Sequence, residues 1–191
     1  DTPKNRLAYL LEKTMPKLIV TNRAELIGST LVYSIPTMLL TSPSSFLLET
    51  VAEPEVVVDG NDSSYIIFTS GSTGFPKAIE GQHKSLSHFI HWEMNQFELT
   101  ERVKVAWLAP PTFDVSLRDI FVPLLSGGTL HIPDVESRKK TSYLAAWLSE
   151  KQITLLHCVP SIFRVLIREF QEAAGSNLLP ELERILLAGC L

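Results

Sequence analysis

The feature of this 191-residue sequence that most constrains its fold is a regular alternation of short apolar segments with longer segments of helical spacing. The short segments have the length and composition of buried strands, and the longer ones carry apolar residues three and four positions apart. Strands separated by helices of this length predict βαβ units, because parallel strands need a crossover connection. The predicted fold class is therefore α/β, with a mostly parallel sheet flanked by helices.

The predicted elements follow one another along most of the chain, with one long loop at 42–64 that is rich in Ser, Pro and Asp. Strands are predicted at 17–21, 37–42, 65–70, 103–109, 129–133, 154–160 and 183–189. Helices are predicted at 6–13, 24–30, 83–97, 115–126, 143–152 and 161–174. Gly127 and Gly128 are expected to end the fourth helix, and Ser161 to cap the last one.

The composition fits a cytoplasmic, soluble protein. Hydrophobic residues make up 45% of the chain and charged residues 20%, and the net charge is −4, so no basic surplus points to nucleic acid. Two cysteines form neither a disulfide framework nor a metal-ligand spacing. The sequence contains no secretory signal and no apolar run of about 20 residues, so it gives no indication of a membrane partner. The strand-like end of the chain suggests a piece of a longer protein.

The stretch "YIIFTSGSTGFPK" at 65–77 places a glycine- and hydroxyl-rich loop directly after a buried strand. Its backbone N–H groups, hydroxyls and lysine suit a polyphosphate, although a plain surface turn stays an equal alternative. It is neither a Walker A loop nor a dinucleotide fingerprint. The candidate phosphate-binding residues are Thr69, Ser70, Gly71, Ser72, Thr73, Gly74 and Lys77.

Two further marked loops, "APPTFD" at 109–114 and "HCVPS" at 157–161, also follow predicted strands. Ligands of parallel α/β sheets bind outside the carboxyl ends of the strands. We therefore expect the three loops to lie on one rim of the sheet and to share one site.

The stretch "YIIFTSGSTGFPKAIEGQHKSL" resembles the signature loop of the adenylate-forming superfamily of acyl-CoA synthetases, luciferases and peptide-synthetase adenylation domains. "NRLAYLLEKTMPKLIVT", "PTFDVSLRDIFVPLLSGGTLHIP", "ITLLHCVPSIFRVLI" and "LERILLAG" resemble other segments of the adenylation domains of nonribosomal peptide synthetases. The resemblance implies that residues 1–191 form part of the large N-terminal lobe of such a domain, without its C-terminal subdomain.

In this family the segment matched by 69–77 holds the β- and γ-phosphates of ATP, with Mg²⁺ sharing the charge. The resemblance implies activation of an amino acid as an aminoacyl-adenylate. It also implies transfer to phosphopantetheine on a carrier protein, with condensation domains as further partners.

The resemblance places the amino-acid pocket at 113–118 and one later residue. It implies that Asp114 binds the α-ammonium group of the substrate, while a role as helix cap is the alternative. It implies that the pocket is lined by Phe113, Val115, Arg118 and His157. Arg118 could instead pair with Asp114 four positions earlier. Two basic residues in the pocket suggest an acidic, aspartate-like substrate.

Two departures from the family pattern qualify the prediction. Ala78 stands where glycine is usual, which would strain the loop if φ were positive there. No segment matches the adenine and ribose motifs or the catalytic lysine, so no catalytic set is complete and the fragment is expected to be inactive alone. An acyl- or aryl-acid CoA ligase and an inactive binding lobe are the alternatives.

Overall fold

The computed structural model of the chain describes residues 3–27, 34–41, 55–69, 76–138, 140–172 and 179–188. These residues form two compact units. The first contains residues 1–59 and 69–78, and the second contains residues 60–68 and 79–191. In the described part, no helix is both long enough and apolar enough to span a membrane.

Five α-helices and eight strands are found among the described residues. The helices are α1 (Lys4–Thr14), α2 (His83–Gln96), α3 (Val115–Ser126), α4 (Thr141–Glu150) and α5 (Pro160–Glu172). The strands are β1 (Ile19–Thr21), β2 (Thr37–Leu39), β3 (Ser63–Thr69), β4 (Lys77–Gln82), β5 (Lys104–Ala106), β6 (Thr129–His131), β7 (Leu155–Cys158) and β8 (Arg184–Leu187). A short 3₁₀ helix lies at Ala24–Leu26.

The parallel sheet that the alternation predicts is confirmed. In the second unit four strands run in the order β6-β5-β7-β8, and every neighbouring pair is parallel. In the first unit β1 pairs in parallel with β2. Strands β3 and β4 form a separate two-stranded sheet.

Helices cover both faces of the four-stranded sheet, which explains why every residue of β7 is buried. On one face Leu156 and Cys158 pack with Leu148 of α4 and Leu166 of α5. On the other face lies a core of Ile90 from α2, Val122 from α3, and Val105 and Leu155 from the sheet. Because side chains alternate along a strand, His157 shares the face of Leu155 and points towards α2 and α3.

Helix α3 begins and ends where its sequence predicts. Asp114 caps its N-terminus, and Gly127 ends it in the left-handed conformation with φ of 77°. The next residue, Gly128, lies so close to the Val103 backbone that a Cβ atom would collide with it. The two glycines therefore serve different purposes, one for the backbone turn and one for close packing.

Three expectations need correction. Strand β4 was not predicted, because its residues show no apolar alternation and its pairing with β3 defines it. Helix α5 begins at Pro160, so Ser161 lies inside the first turn and is not the cap. Of the predicted 42–64 loop, residues 42–54 lie outside the described residues, and Ser63 already belongs to β3.

Candidate functional site

A pocket of about 270 Å³ lies in the second unit between strand β3 and helices α2 and α3. Its walls are Tyr65, Ser85, Leu86, Phe89, Asp114, Val115, Leu117 and Arg118. It combines aromatic and aliphatic walls with one acidic and one basic side chain. This composition suits a small ligand that carries charges of both signs.

Asp114 lines this pocket from the start of α3. Its Oδ1 accepts a hydrogen bond of 2.9 Å from the Val115 N–H, which confirms that it caps the helix. Its Oδ2 makes no hydrogen bond to any described residue. One carboxylate can therefore cap the helix and still offer an oxygen to a ligand.

Arg118 also lines the pocket, one turn after Asp114, as their spacing predicts. The predicted alternative of an Asp114–Arg118 pair is wrong, because Arg118 Nε donates to Oε2 of Glu93 at 2.8 Å. The guanidinium carbon lies 5.3 Å from the Phe89 ring centroid. Within the described residues the two terminal NH₂ groups have no hydrogen-bond partner, so they are available to a ligand.

Tyr65 of β3 forms a further wall of the pocket, and Gly81 of β4 makes room for it. A Cβ atom at Gly81 would collide with the Tyr65 ring. Only glycine therefore fits at position 81, next to the ring that borders the pocket.

His157 is fully buried, and both of its ring nitrogens are hydrogen-bonded. Nδ1 lies 2.8 Å from Oδ1 of Asp119, and Nε2 lies 2.6 Å from Oε1 of Glu93. Carboxylates accept, so both nitrogens donate and the ring is an imidazolium. The expectation that His157 offers a nitrogen to a substrate anion is therefore wrong, since its donors are used within the protein.

Protonation of this buried cluster follows from its contacts. Burial would lower the pKa of His157, but the hydrogen bonds to Asp119 and Glu93 and the charge of Glu93 raise it. Burial would raise the pKa of Glu93, but His157 and then Arg118 lower it. Two carboxylates thus balance two cations in a low-dielectric interior.

These pKa shifts predict that stability falls as the pH rises above neutrality. A histidine with a raised folded-state pKa stabilises the protein below about pH 6.5 and loses this contribution as the pH rises through its folded pKa. Glu93 acts oppositely, and its contribution is lost as the pH falls through its lowered pKa. Chemical denaturation between pH 6 and 8.5 should show the decline.

His131→Gln is the matched control for this measurement. His131 lies on β6 of the same sheet, and its pKa is lowered by burial and by Lys104 and Lys151. It contributes stability that grows as the pH rises, so its removal should leave the decline in place. A decline as steep in a His157→Leu variant as in the unmodified protein would contradict the assignment to His157.

A second pocket, of about 150 Å³, lies between two of the three predicted rim loops. It is lined by Leu108, Ala109, Pro110, Phe113, Val115, His157, Cys158, Val159 and Ile162. The expectation that these two loops meet is confirmed. Phe113 is 58% exposed at this pocket and is not a fully packed core residue.

Burial and the charge of Asp119 raise the pKa of Cys158 to about 11, so its thiol stays protonated.

The loop at 69–77 can be described only at its ends, and its predicted place on the same rim stays a prediction. Thr69 ends β3 and Lys77 begins β4, and both side chains are exposed. The Tyr9 hydroxyl donates a 2.9 Å hydrogen bond to the carbonyl of Pro76, which ties the residue before the lysine to α1. The other candidate phosphate-binding residues, Ser70, Gly71, Ser72, Thr73 and Gly74, lie outside the described residues.

Ala78 does not strain this region. It lies in β4, and the non-glycine residues of positive φ in the described ranges are Met15, Glu98 and Gln152. The departure from the family glycine is therefore harmless to the backbone.

Sequence reasoning missed two residues of the site, Glu93 and Asp119. Both are 0% exposed, and both lie on the buried faces of their helices, beside Ile90 in α2 and Val122 in α3. An ionisable residue on an otherwise apolar helix face was the available signal. Its partners come from other elements and cannot be read from local spacing.

Comparison with known proteins identifies the family. The protein family described as "AMP-binding enzyme" matches residues 1–190 of the chain. The chain belongs to the AMP-binding enzyme family. The resemblance inferred from the phosphate-loop stretch and the later segments is thereby confirmed.

Curated relatives of this AMP-binding chain include large peptide synthetases. Surfactin synthase subunit 2 of Bacillus subtilis is 29% identical over 99% of the chain, and tyrocidine synthase 2 of Brevibacillus parabrevis is 31% identical over 88%. The chain spans about 5% of the length of each. L-2-aminoadipate reductase of Schizosaccharomyces pombe is 34% identical over 68% of the chain, which spans 9% of that protein.

A solved structure supports the fold. The AMPPNP-bound form of the nonribosomal peptide synthetase FmoA3 superimposes with a TM-score of 0.83 at 23% identity. The match covers 99% of the AMP-binding chain and 20% of FmoA3. The prediction of an α/β fold like that of an adenylation-domain N-terminal lobe is confirmed.

Proposed function

We propose that the protein containing this chain uses ATP to activate an amino acid as an aminoacyl-adenylate, for loading onto a carrier protein in nonribosomal peptide synthesis. The observation that carries the proposal is the pocket in which Asp114 keeps one carboxylate oxygen free beside Arg118, within a chain of the AMP-binding family. An α-ammonium group taken out of water needs such a paired carboxylate.

In the proposed reaction an oxygen of the amino-acid carboxylate attacks the α-phosphorus of ATP. The bond to the β-phosphate breaks, and pyrophosphate leaves with the electron pair. A phosphopantetheine thiol of the carrier protein then attacks the acyl carbon, and AMP leaves. Two anions meet in the first step, so cationic and N–H groups are needed where charge gathers.

The proposed phosphate-binding set is Thr69, Lys77 and the loop between them, and both named side chains are exposed and open to ATP. Mg²⁺ would enter with the nucleotide. Among the described residues no group of three or more His, Cys, Asp or Glu could hold a metal ion. Phosphate oxygens and water would therefore supply most of its ligands, as is usual for this ion.

The proposed substrate class is an acidic amino acid. The terminal NH₂ groups of Arg118 are free to bind a side-chain carboxylate, while Asp114 binds the α-ammonium. The yeast relatives named L-2-aminoadipate reductase, at 34% and 35% identity, are named for an acidic amino acid and support this choice. His157 takes no direct part, because Glu93 and Asp119 hold both of its nitrogens.

Amino-acid-dependent ATP–pyrophosphate exchange by the full-length protein tests the proposal. We expect exchange with aspartate, glutamate or 2-aminoadipate and little with leucine or phenylalanine. Preference for a large apolar amino acid would refute the acidic class. Exchange with acids that lack an ammonium group would favour the CoA-ligase alternative. The isolated 191-residue chain is expected to show no exchange, and its activity would contradict that expectation.

A further inference from the structure

The proposed function leaves unexplained why two carboxylates are buried beneath the pocket. Glu93 and Asp119 have no exposed surface, although ionised groups are rarely buried without a strong reason. Each carboxylate oxygen of the pair accepts at least one hydrogen bond, so the cluster is fully connected. A network this complete fixes side-chain positions closely.

Glu93 divides its two oxygens between two cations. Oε1 accepts from His157 Nε2 at 2.6 Å, and Oε2 accepts from Arg118 Nε at 2.8 Å. Only Nε of Arg118 is engaged in this way, and the terminal NH₂ groups of this pocket-lining residue have no hydrogen-bond partner among the described residues. Phe89, four positions before Glu93 on α2, lies against the same guanidinium. Two residues of one helix face thus define where the arginine lies.

The other end of the network reaches the backbone of a rim loop. Asp119 accepts from His157 through Oδ1, and its Oδ2 accepts from the N–H groups of Leu108 and Ala109 at 3.2 and 3.1 Å. The loop after β5 leads to Asp114 within a few residues. The network therefore connects the backbone near one charged pocket residue to the side chain of the other.

We propose that Glu93 is a positioning residue that holds Arg118 in the orientation needed to bind the substrate, and that His157 and Asp119 keep Glu93 in place. This inference rests on the proposed function, since it assigns Arg118 to an amino-acid substrate. Glu93 itself is buried and is not among the residues that line the pocket. It acts through the arginine.

The test is Glu93→Gln in the full-length protein, assayed by ATP–pyrophosphate exchange with the preferred amino acid. Glutamine keeps the size of the side chain but cannot accept from both cations with charged oxygens. We expect kcat/KM to fall about 10- to 100-fold, chiefly through a rise in the amino-acid KM. Unchanged or lower KM would overturn the proposal. Ile90→Val, on the same buried face of α2, controls for mere loosening of the core.

A double-mutant cycle separates positioning from general stability. In an Arg118→Met background, Glu93→Gln should have little further effect on KM, because the group that Glu93 positions is gone. Equal effects in both backgrounds would overturn the proposal. Should Glu93→Gln fail to fold, a crystal structure of the unmodified protein with the amino acid decides. Arg118 must keep Nε on Glu93 while its terminal nitrogens bind the substrate, and departure from Glu93 would refute the role.

Failure of the proposed function gives a different result. In that case the unmodified protein shows no amino-acid-dependent exchange at all. An active unmodified protein with an unaffected Glu93→Gln variant refutes only the positioning role.

Discussion

Replacing Asp114 with asparagine is expected to lower kcat/KM for the amino acid by about 100-fold with little change in stability. Loss of one member of a desolvated charge pair costs about 2–5 kcal/mol, and each 1.4 kcal/mol is a factor of ten. Asparagine is as good a helix cap as aspartate, so α3 keeps its start. ATP–pyrophosphate exchange by the full-length protein measures the loss.

Asp134→Asn is the matched control for Asp114→Asn. Asp134 is also exposed and also accepts a local backbone hydrogen bond, from Ser137 N–H at 2.7 Å, but it does not line the pocket. Its substitution should leave exchange unchanged. Full activity of Asp114→Asn would show that Asp114 serves only as a cap.

Replacing His157 with leucine is expected to cost about 3–5 kcal/mol at pH 7, because it leaves two buried carboxylates facing one arginine. At pH 5 part of this loss should be recovered, since protonation of one carboxylate removes the surplus negative charge. Chemical denaturation at the two pH values, or hydrogen exchange of the β7 amides at one fixed pH, measures the cost.

Leu156→Ala, one position earlier on β7, provides the comparison for His157→Leu. It opens a cavity in the opposite core, with an expected cost of about 2–5 kcal/mol that does not depend on pH. If His157→Leu lost the same stability at pH 5 as at pH 7, the buried cluster would not be ionised as its contacts indicate.

The sequence predicted the layered fold correctly because the evidence for it is local and repeated. Each buried strand of the four-stranded sheet is a short apolar run, and each helix has its own apolar face and end signals, such as Gly127. Strand β4 escaped prediction because its stability comes from pairing with β3 and not from its own pattern. Pairing of this kind depends on the partner strand and cannot be seen in the residue pattern of one strand alone.

The sequence also placed the charged pocket residues. Asp114 and Arg118 are four positions apart, so any helix that includes both presents them on one side, and both line the same pocket. For the loop at 69–77 the residues left phosphate binding and a surface turn as equal alternatives, and only the resemblance chose between them; the middle of this loop lies outside the described residues. The placement of Asp114 and Arg118 was predictable because residues four positions apart lie on the same side of any helix.

By itself, then, the sequence determined the family, the parallel sheet and the positions of Asp114 and Arg118. Only the tertiary structure decided what those residues contact. Arg118 pairs with Glu93, 25 positions away, and His157 is held between Glu93 and Asp119, 64 and 38 positions away. These partners meet because α2 and α3 pack side by side on one face of the sheet. His157 of β7 points from the sheet towards these two helices. A buried charge takes whichever opposite charge packing brings within reach, and packing depends on the whole fold.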